Sequence, residues 1–255
     1  QSALVVGGGV AGMVASLHLA DQGYPVTLVE AGSELGGHAR QLRQTWRGEN
    51  VTGFLKDLIA RVNDSPQVRV YLNSELQEVK GFVGNFQSKI QIAGDSGARF
   101  ATLRHGVAII ATGGQAVETD EYLSGHHPRV IRWHQVEDAL EAGKLQDARS
   151  IVFIQCVGSR EPQRPYCSKI CCTFSIQQAL KIKEAYPDMD VFILYRDIRT
   201  YGQREELYRR ARAAGVIFIR YASDEKPLVE TESEGGLRVV VKDHILQRSL
   251  VISPD

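Results

Sequence analysis

The chain has 255 residues, 43% apolar and 24% charged, enough for one large α/β domain or two small ones. Thirty Lys and Arg balance thirty Asp and Glu, which argues against a nucleic-acid or anionic-membrane surface, because both require a basic excess. No apolar run approaches the roughly 20 residues of a membrane span, so no direct membrane span is expected. The four cysteines are too few and too clustered for a secreted disulfide scaffold, so a reducing cytoplasm is expected.

Gln1-Ser2 leads into a strand without an initiator methionine or a signal-peptide pattern, as in a piece cut from a longer polypeptide. Ala3 to Val6 reads as an apolar strand, followed by Gly7-Gly8-Gly9-Val10-Ala11-Gly12 and a helix that ends at Gly23. Pro25 to Glu30 is a second strand, completing a βαβ unit and implying a parallel sheet. Phe54–Asn63 reads as a helix and Val68–Leu72 as a strand. Leu76–Phe82 and Gln87–Ile92 read as β segments about a Gly84-Asn85 turn. Val107–Ala111 is expected to be a buried strand, and Val136–Ala142 a short helix. A second βαβ unit follows: strand Ile151–Gln155, a cysteine-bearing loop, a helix over Phe174–Ala185 and strand Val191–Tyr195. A charged helix over Gln203–Ala214, a strand at Val216–Ile219 and a terminal ribbon of Leu237–Val241 and Leu246–Ile252 complete the chain. The expected fold class is α/β with two Rossmann-like dinucleotide-binding domains, at 1–148 and 149–255.

Gly7, Gly9 and Gly12 fill the G-x-G-x-x-G pattern between a strand and a helix. The first allows the tight turn, the second lets backbone approach a pyrophosphate, and the third packs helix on strand. With Val10 and Ala11 they open a helix whose N-terminus attracts phosphate. Glu30 stands eighteen residues after Gly12 at the end of the second strand, placed to accept hydrogen bonds from ribose hydroxyls. The equivalent turn of the second unit reads Cys156-Val157-Gly158-Ser159-Arg160, with one glycine left, so nicotinamide binding there is not expected.

All four cysteines fall within seventeen residues, as Cys156-x10-Cys167-x3-Cys171-Cys172. Ser159, Arg160, Glu161, Gln163 and Arg164 make the intervening loop polar, which fits buried apolar cysteines poorly. Spacing leaves three readings open: a structural zinc site, a redox disulfide, or an iron–sulfur cluster held by four irregularly spaced thiolates. His126-His127 lies between Gly125 and Pro128 and reads as an exposed loop rather than a metal pair.

Several motifs resemble known families. Ala31, Leu35-Gly36-Gly37 and Arg40 after Glu30 resemble the extended signature of two-domain flavoproteins. Ile109-Ile110-Ala111-Thr112-Gly113 resembles the segment that leaves their flavin domain, and together these imply FAD in the first site. Gln155-Cys156-Val157-Gly158-Ser159-Arg160, Tyr166-Cys167-Ser168, Cys171-Cys172, Arg196-Asp197-Ile198-Arg199-Thr200-Tyr201-Gly202 and Gly81-Phe82-Val83-Gly84-Asn85-Phe86 resemble heterodisulfide reductase A subunits. They resemble equally the A subunit of the quinone-interacting membrane-bound oxidoreductase of sulfate reducers. The resemblance implies a thioredoxin-reductase-like flavoprotein in which Cys156, Cys167, Cys171 and Cys172 hold a [4Fe–4S] cluster. It also implies electron transfer between FAD and that cluster, and other subunits of a redox complex as partners. A homodimer, an NAD(P)H-dependent disulfide reductase and a non-catalytic assembly module stay open beside it.

Three departures from the family pattern matter. Gln87 to Phe100 contains no cysteine, where many relatives insert a ferredoxin-like segment. Gln177 replaces the lysine of electron-bifurcating relatives and cannot carry its charge. That turns the resemblance toward the quinone-interacting branch. The sequence stops at Pro254-Asp255, where relatives continue with a strand returning to the flavin domain, so the FAD site is expected to lack one wall and to hold FAD weakly.

Overall fold

A computed structural model describes residues 1–94 and 97–255. They form two compact units, Gln1–Gln115 and Ala116–Asp255. In the first, β1 (Ala3–Val6), α1 (Val10–Asp21) and β2 (Val26–Val29) make the expected βαβ unit, extended by α2 (Val51–Asp64) and β3 (Val68–Tyr71). A meander of β4 (Ser74–Phe82), β5 (Asn85–Ile92) and β6 (Arg99–His105) follows, and β7 (Val107–Ile110) returns to the first sheet. That sheet is parallel throughout, in the order β3-β2-β1-β7.

Helix α2 turns Val51, Leu55, Leu58 and Val62 inward at helical spacing, and the Asn50 side chain accepts from the Gly53 N–H at 2.9 Å to cap it. Leu55, Leu58 and Val62 pack with Met13 and Leu17 of α1 on Ala3, Val5, Val26 and Leu28. Each such large aliphatic side chain contributes roughly 1.5–3 kcal/mol when fully buried. Leu4 and Val29, on the opposite sheet face, pack on Ile90 and Ile92 of the meander.

Three features of this unit depart from the sequence expectation. The run Val107–Ile110 is an edge strand rather than a buried one, with Val107 45% and Ile110 65% exposed. Unbroken apolar sequence does not separate an edge from a centre. Strand β6 is an element the alternation of its polar residues concealed. The β4–β5 turn falls on Val83-Gly84, and a Cβ on Gly81 would lie 2.2 Å from the Asn85 carbonyl oxygen. That position admits only glycine.

In the second unit α3 (Trp133–Glu141) precedes β8 (Ser150–Ile154), α4 (Cys171–Ala185) and β9 (Asp190–Tyr195), followed by α5 (Glu205–Ala213) and β10 (Ile217–Arg220). The parallel sheet runs β10-β9-β8. Strands β11 (Leu228–Thr231), β12 (Leu237–Asp243) and β13 (Arg248–Ile252) form a separate antiparallel sheet, where the sequence suggested only a two-stranded ribbon. Helix α4 is buried along most of its length because α3, α5 and β9 all pack on it. The half-buried Lys181 pairs with buried Glu137 to tie α4 to α3. Helix α4 also starts three residues before the expected Phe174, so Cys171 and Cys172 form its first turn. No helix among the described residues is long and apolar enough to cross a membrane.

A Cβ on Gly12 would sit 1.8 Å from the Gly7 carbonyl oxygen and 3.4 Å from Val5 Cγ1. Gly12→Ala is therefore expected to cost about 3 kcal/mol through overpacking against backbone. Urea denaturation followed by circular dichroism measures this, and an unchanged midpoint would contradict the packing described.

Candidate nucleotide and thiol sites

The loop from β1 to α1 is held by contacts that leave one side open. Gly7 adopts φ +110°, and a Cβ there would approach the Ala111 carbonyl oxygen to 2.2 Å. The first glycine thus serves both the turn and the close passage of the segment after β7. The Ala111 N–H extends the ladder by donating to the Val6 carbonyl at 2.7 Å. Gly9 differs, because a Cβ there would meet nothing within 4 Å. The first intrahelical bond of α1 runs from the Met13 N–H to the Gly9 carbonyl, 3.0 Å. The N–H groups of Val10, Ala11 and Gly12 therefore lie at the positive end of the helix with no intrahelical acceptor, and the first turn carries no acidic residue.

Glu30 closes β2 and reaches both neighbouring loops. Its carboxylate accepts from the Gly8 N–H and the Gly32 N–H, each at 2.6 Å. Gly8, which the sequence pattern passes over, is the residue that ties this acid to the glycine loop. Gly36 (φ +124°) donates its N–H to the Gly8 carbonyl at 2.8 Å, and Gly37 lies against Gly9. Ala31, Gly37, Thr112 and Gly113 are exposed around this opening. Arg40 turns back on its own loop: its Nε donates to the Leu35 carbonyl at 2.6 Å, and Nη2 pairs with Glu34 at 2.9 Å. His38 Nε2 contacts the Gly114 carbonyl, linking the loop after β2 to the segment after β7.

In the second unit Cys156 follows the end of β8, Cys167 lies in the loop, and Cys171 and Cys172 form the first turn of α4. None of the four cysteines is in a disulfide; Cys156 and Cys172 are buried, Cys167 and Cys171 half-buried. Cys172 hydrogen-bonds to Cys171, and Cys156 lies within electrostatic reach of both. The Cys172 thiol donates to Cys171 and stabilises its thiolate. With help from the Ser168 hydroxyl and backbone N–H groups of the helix start, this holds Cys171 down at about 6 against burial. The same contact, followed by burial, pushes Cys172 up. Burial also pushes Cys156 up, opposed by the Arg160 guanidinium, whose Nη1 lies 3.8 Å from its sulfur. Cys167 Sγ accepts from the Lys169 N–H at 3.3 Å. Cys172 Sγ lies 3.7 Å from the Asp197 carbonyl oxygen.

Long-range polar contacts hold the backbone on either side of Cys156. Arg196 is buried and donates to the carbonyls of Ser159 and Arg160 at 3.3 and 2.9 Å. The buried Tyr221 donates its hydroxyl to the Gln155 carbonyl at 2.6 Å. Arg196 Nε and Thr173 Oγ1 are buried with no hydrogen-bond partner. Among the described residues no three Cys, His, Asp or Glu side chains are grouped to hold a single metal ion. His126 and His127 sit in an exposed turn, where His127 meets the Gly235 carbonyl and the Arg129 N–H.

Residues 5–73 match the family described as an NAD(P)-binding Rossmann-like domain. The chain is 28% identical, over 335 positions, to the second iron–sulfur A subunit of the CoB–CoM heterodisulfide reductase of Methanopyrus kandleri; the match takes in 96% of this chain and 51% of that protein. With the corresponding protein of Methanocaldococcus jannaschii it is 29% identical over 346 positions, which take in 100% and 52%. The chain spans about half the length of these curated relatives, and about 90 positions within each match have no counterpart in it. Among solved structures it resembles thioredoxin reductase from Lactococcus lactis, with a TM-score of 0.59 at 15% identity over 99% of this chain and 74% of that one. It is also similar to the T. acidophilum thioredoxin reductase, with a TM-score of 0.57 at 16% identity over 100% and 74%. The chain therefore has a thioredoxin-reductase-like α/β fold and counts the iron–sulfur A subunits of heterodisulfide reductases among its relatives.

Proposed function

We propose that this chain is an electron-transfer flavoprotein subunit of a redox complex like those of its heterodisulfide reductase relatives, passing electrons between FAD and a [4Fe–4S] cluster. The observation that carries the reading is that all four cysteines fall on one strand end, loop and helix start, where Cys171 is held as a thiolate beside Cys172 and within electrostatic reach of Cys156. When bound, FAD exchanges electrons in pairs or singly, and the cluster exchanges them singly.

The first unit's residues fit a dinucleotide. The N–H groups of Val10, Ala11 and Gly12 supply donors and helix-dipole charge for a diphosphate, and the space above Gly9 admits it. Each Glu30 oxygen, already accepting one backbone N–H, keeps a lone pair for a ribose hydroxyl. Gly36 and Gly37 border the same opening with Ala31 and with Ala111, Thr112 and Gly113, and Arg40 would have to leave Glu34 to reach a phosphate. In the second unit Cys156, Cys167, Cys171 and Cys172 would hold the cluster. A cubane is wider than a single ion and takes thiolates spread around it. Arg196, whose backbone bonds to Cys156 and whose Nε is buried without a partner, suits a group that brings sulfide acceptors. The partners would be other subunits of the complex.

One observation favours a second reading, an NAD(P)H-dependent disulfide reductase. A thiolate at Cys171 beside a protonated Cys172 is the state from which a redox pair reacts.

Anaerobic reconstitution with iron and sulfide is expected to give about four irons per chain and an EPR signal on reduction. A chain that never binds iron, yet oxidises NADPH with a disulfide substrate, would establish the second reading instead. Gly9→Ala is expected to leave the melting temperature unchanged while weakening FAD binding by at least about tenfold, or about 1.4 kcal/mol, as read by flavin fluorescence titration. Equal affinity in wild type and variant would place the dinucleotide elsewhere. In the iron-free chain, alkylation of Cys171 is expected to be half-maximal near pH 6 and about tenfold slower at pH 5 than at pH 7, since only the thiolate reacts. Peptide mass spectrometry reads this directly.

A further inference from the structure

The loop between β8 and α4 passes repeatedly through left-handed backbone: Cys156 at φ +63°, Gly158 at +62°, Arg160 at +59° and Lys169 at +60°. Non-glycine residues keep such conformations where their surroundings over-determine them, and they cluster at functional sites. Arg160 is fixed on four sides. Its N–H donates to the Tyr166 carbonyl at 3.1 Å, and its carbonyl accepts from Arg196 Nη1 at 2.9 Å. Its Nη2 donates to Asp197 Oδ2 at 2.5 Å, and its Nη1 lies 3.8 Å from Cys156 Sγ.

Both braces are themselves anchored. Arg196 is 6% exposed, reaches Glu161 at 3.3 Å and lies 5.6 Å from the Tyr221 ring centre. Asp197 also meets Arg199 at 3.9 Å and Arg220 at 3.6 Å. Three guanidinium groups thus share one carboxylate, leaving a positive excess around Asp197. Of the three guanidinium groups, that of Arg160 is the one that hydrogen-bonds to a cysteine among the described residues, while Arg199 reaches Cys172 through its backbone.

We propose that Arg160 is a positioning residue that sets the reduction potential of the group ligated by Cys156, with Arg196 and Asp197 holding its guanidinium against the sulfur. The inference rests on the cluster reading above. Reduction adds one electron to a thiolate-ligated centre, and a cationic N–H donor to a ligand sulfur favours the more negative, reduced form. The arginine therefore raises the potential.

The test uses the 255-residue chain, reconstituted anaerobically, in wild-type form and as Arg160→Lys, Arg160→Gln, Arg160→Met and Tyr221→Phe. EPR-monitored redox titration reads the potential, iron analysis reads occupancy, and resonance Raman reads the Fe–S(Cys) stretches. With iron content unchanged, the potential is expected to fall progressively from Lys to Gln to Met. In the Met variant the reduced-to-oxidised ratio at a fixed potential drops about tenfold, equivalent to 59 mV for one electron. An Fe–S(Cys) stretch is expected to rise as the hydrogen bond is lost. Tyr221→Phe removes the hydroxyl contact to Gln155 but no charge, and is expected to keep the wild-type potential.

A common potential for wild type, Lys, Gln and Met at equal iron content overturns the proposal and leaves the cluster reading standing. So does a Tyr221→Phe shift as large as that of Arg160→Met, which would reduce Arg160 to a loop brace. A wild-type chain that binds no iron overturns both. If the Met variant does not fold, the Lys and Gln variants decide by the same criterion.

Discussion

A parallel strand that feeds a helix delivers a set of unpaired backbone N–H groups to the strand's carboxyl end, and something must answer that positive end. Both units of this protein are organised around the problem. In the first, three glycines keep side chains away from the start of α1, so its donors face open space. In the second, the start of α4 is occupied by sulfur, and its donors help stabilise a thiolate within the protein. One geometry supports an anion brought from outside, the other an anion built into the chain.

Three of the sulfurs are chemically unequal, because Cys171 and Cys172 share one hydrogen bond while Cys156 faces a guanidinium. Cys171 receives a hydrogen bond and helix-start donors, and ionises easily. Cys172 supplies that bond and resists ionisation. Cys156 sits between burial and a guanidinium. A centre that takes all of these thiols as thiolates gives Cys172 a metal in place of its proton, which ties assembly to proton release.

Legibility in the sequence follows the range of the interactions. The glycine loop, Glu30 and the two βαβ units can be read because each is specified within about 30 to 45 residues, by turn chemistry and apolar runs. The clustering of the cysteines is visible for the same reason. The edge position of Val107–Ile110 is not, since it depends on which strands pair and not on the apolar character of the run. The sequence places the start of helix α4 at Phe174 because Cys171 and Cys172 carry no capping signal; packing against α3, α5 and β9 sets its true start. The contacts of Arg196 and Tyr221 with the Gln155–Glu161 loop span 35 or more residues, and no local pattern announces them. Arg160 stands in a recognised motif, but its role emerges only when Asp197 and Cys156 are seen to share its guanidinium.

Glu30 holds Gly8 and Gly32 with the same carboxylate that we propose meets the ribose. Any change at Glu30 releases two loops before a ligand arrives, so folding and recognition are inseparable at that residue. Gly9, whose Cβ direction is empty, is the opposite kind of position. Within the glycine loop, Gly7 and Gly12 are packed against backbone while Gly9 is not, so a lineage could change the residue at Gly9 without first restabilising the fold.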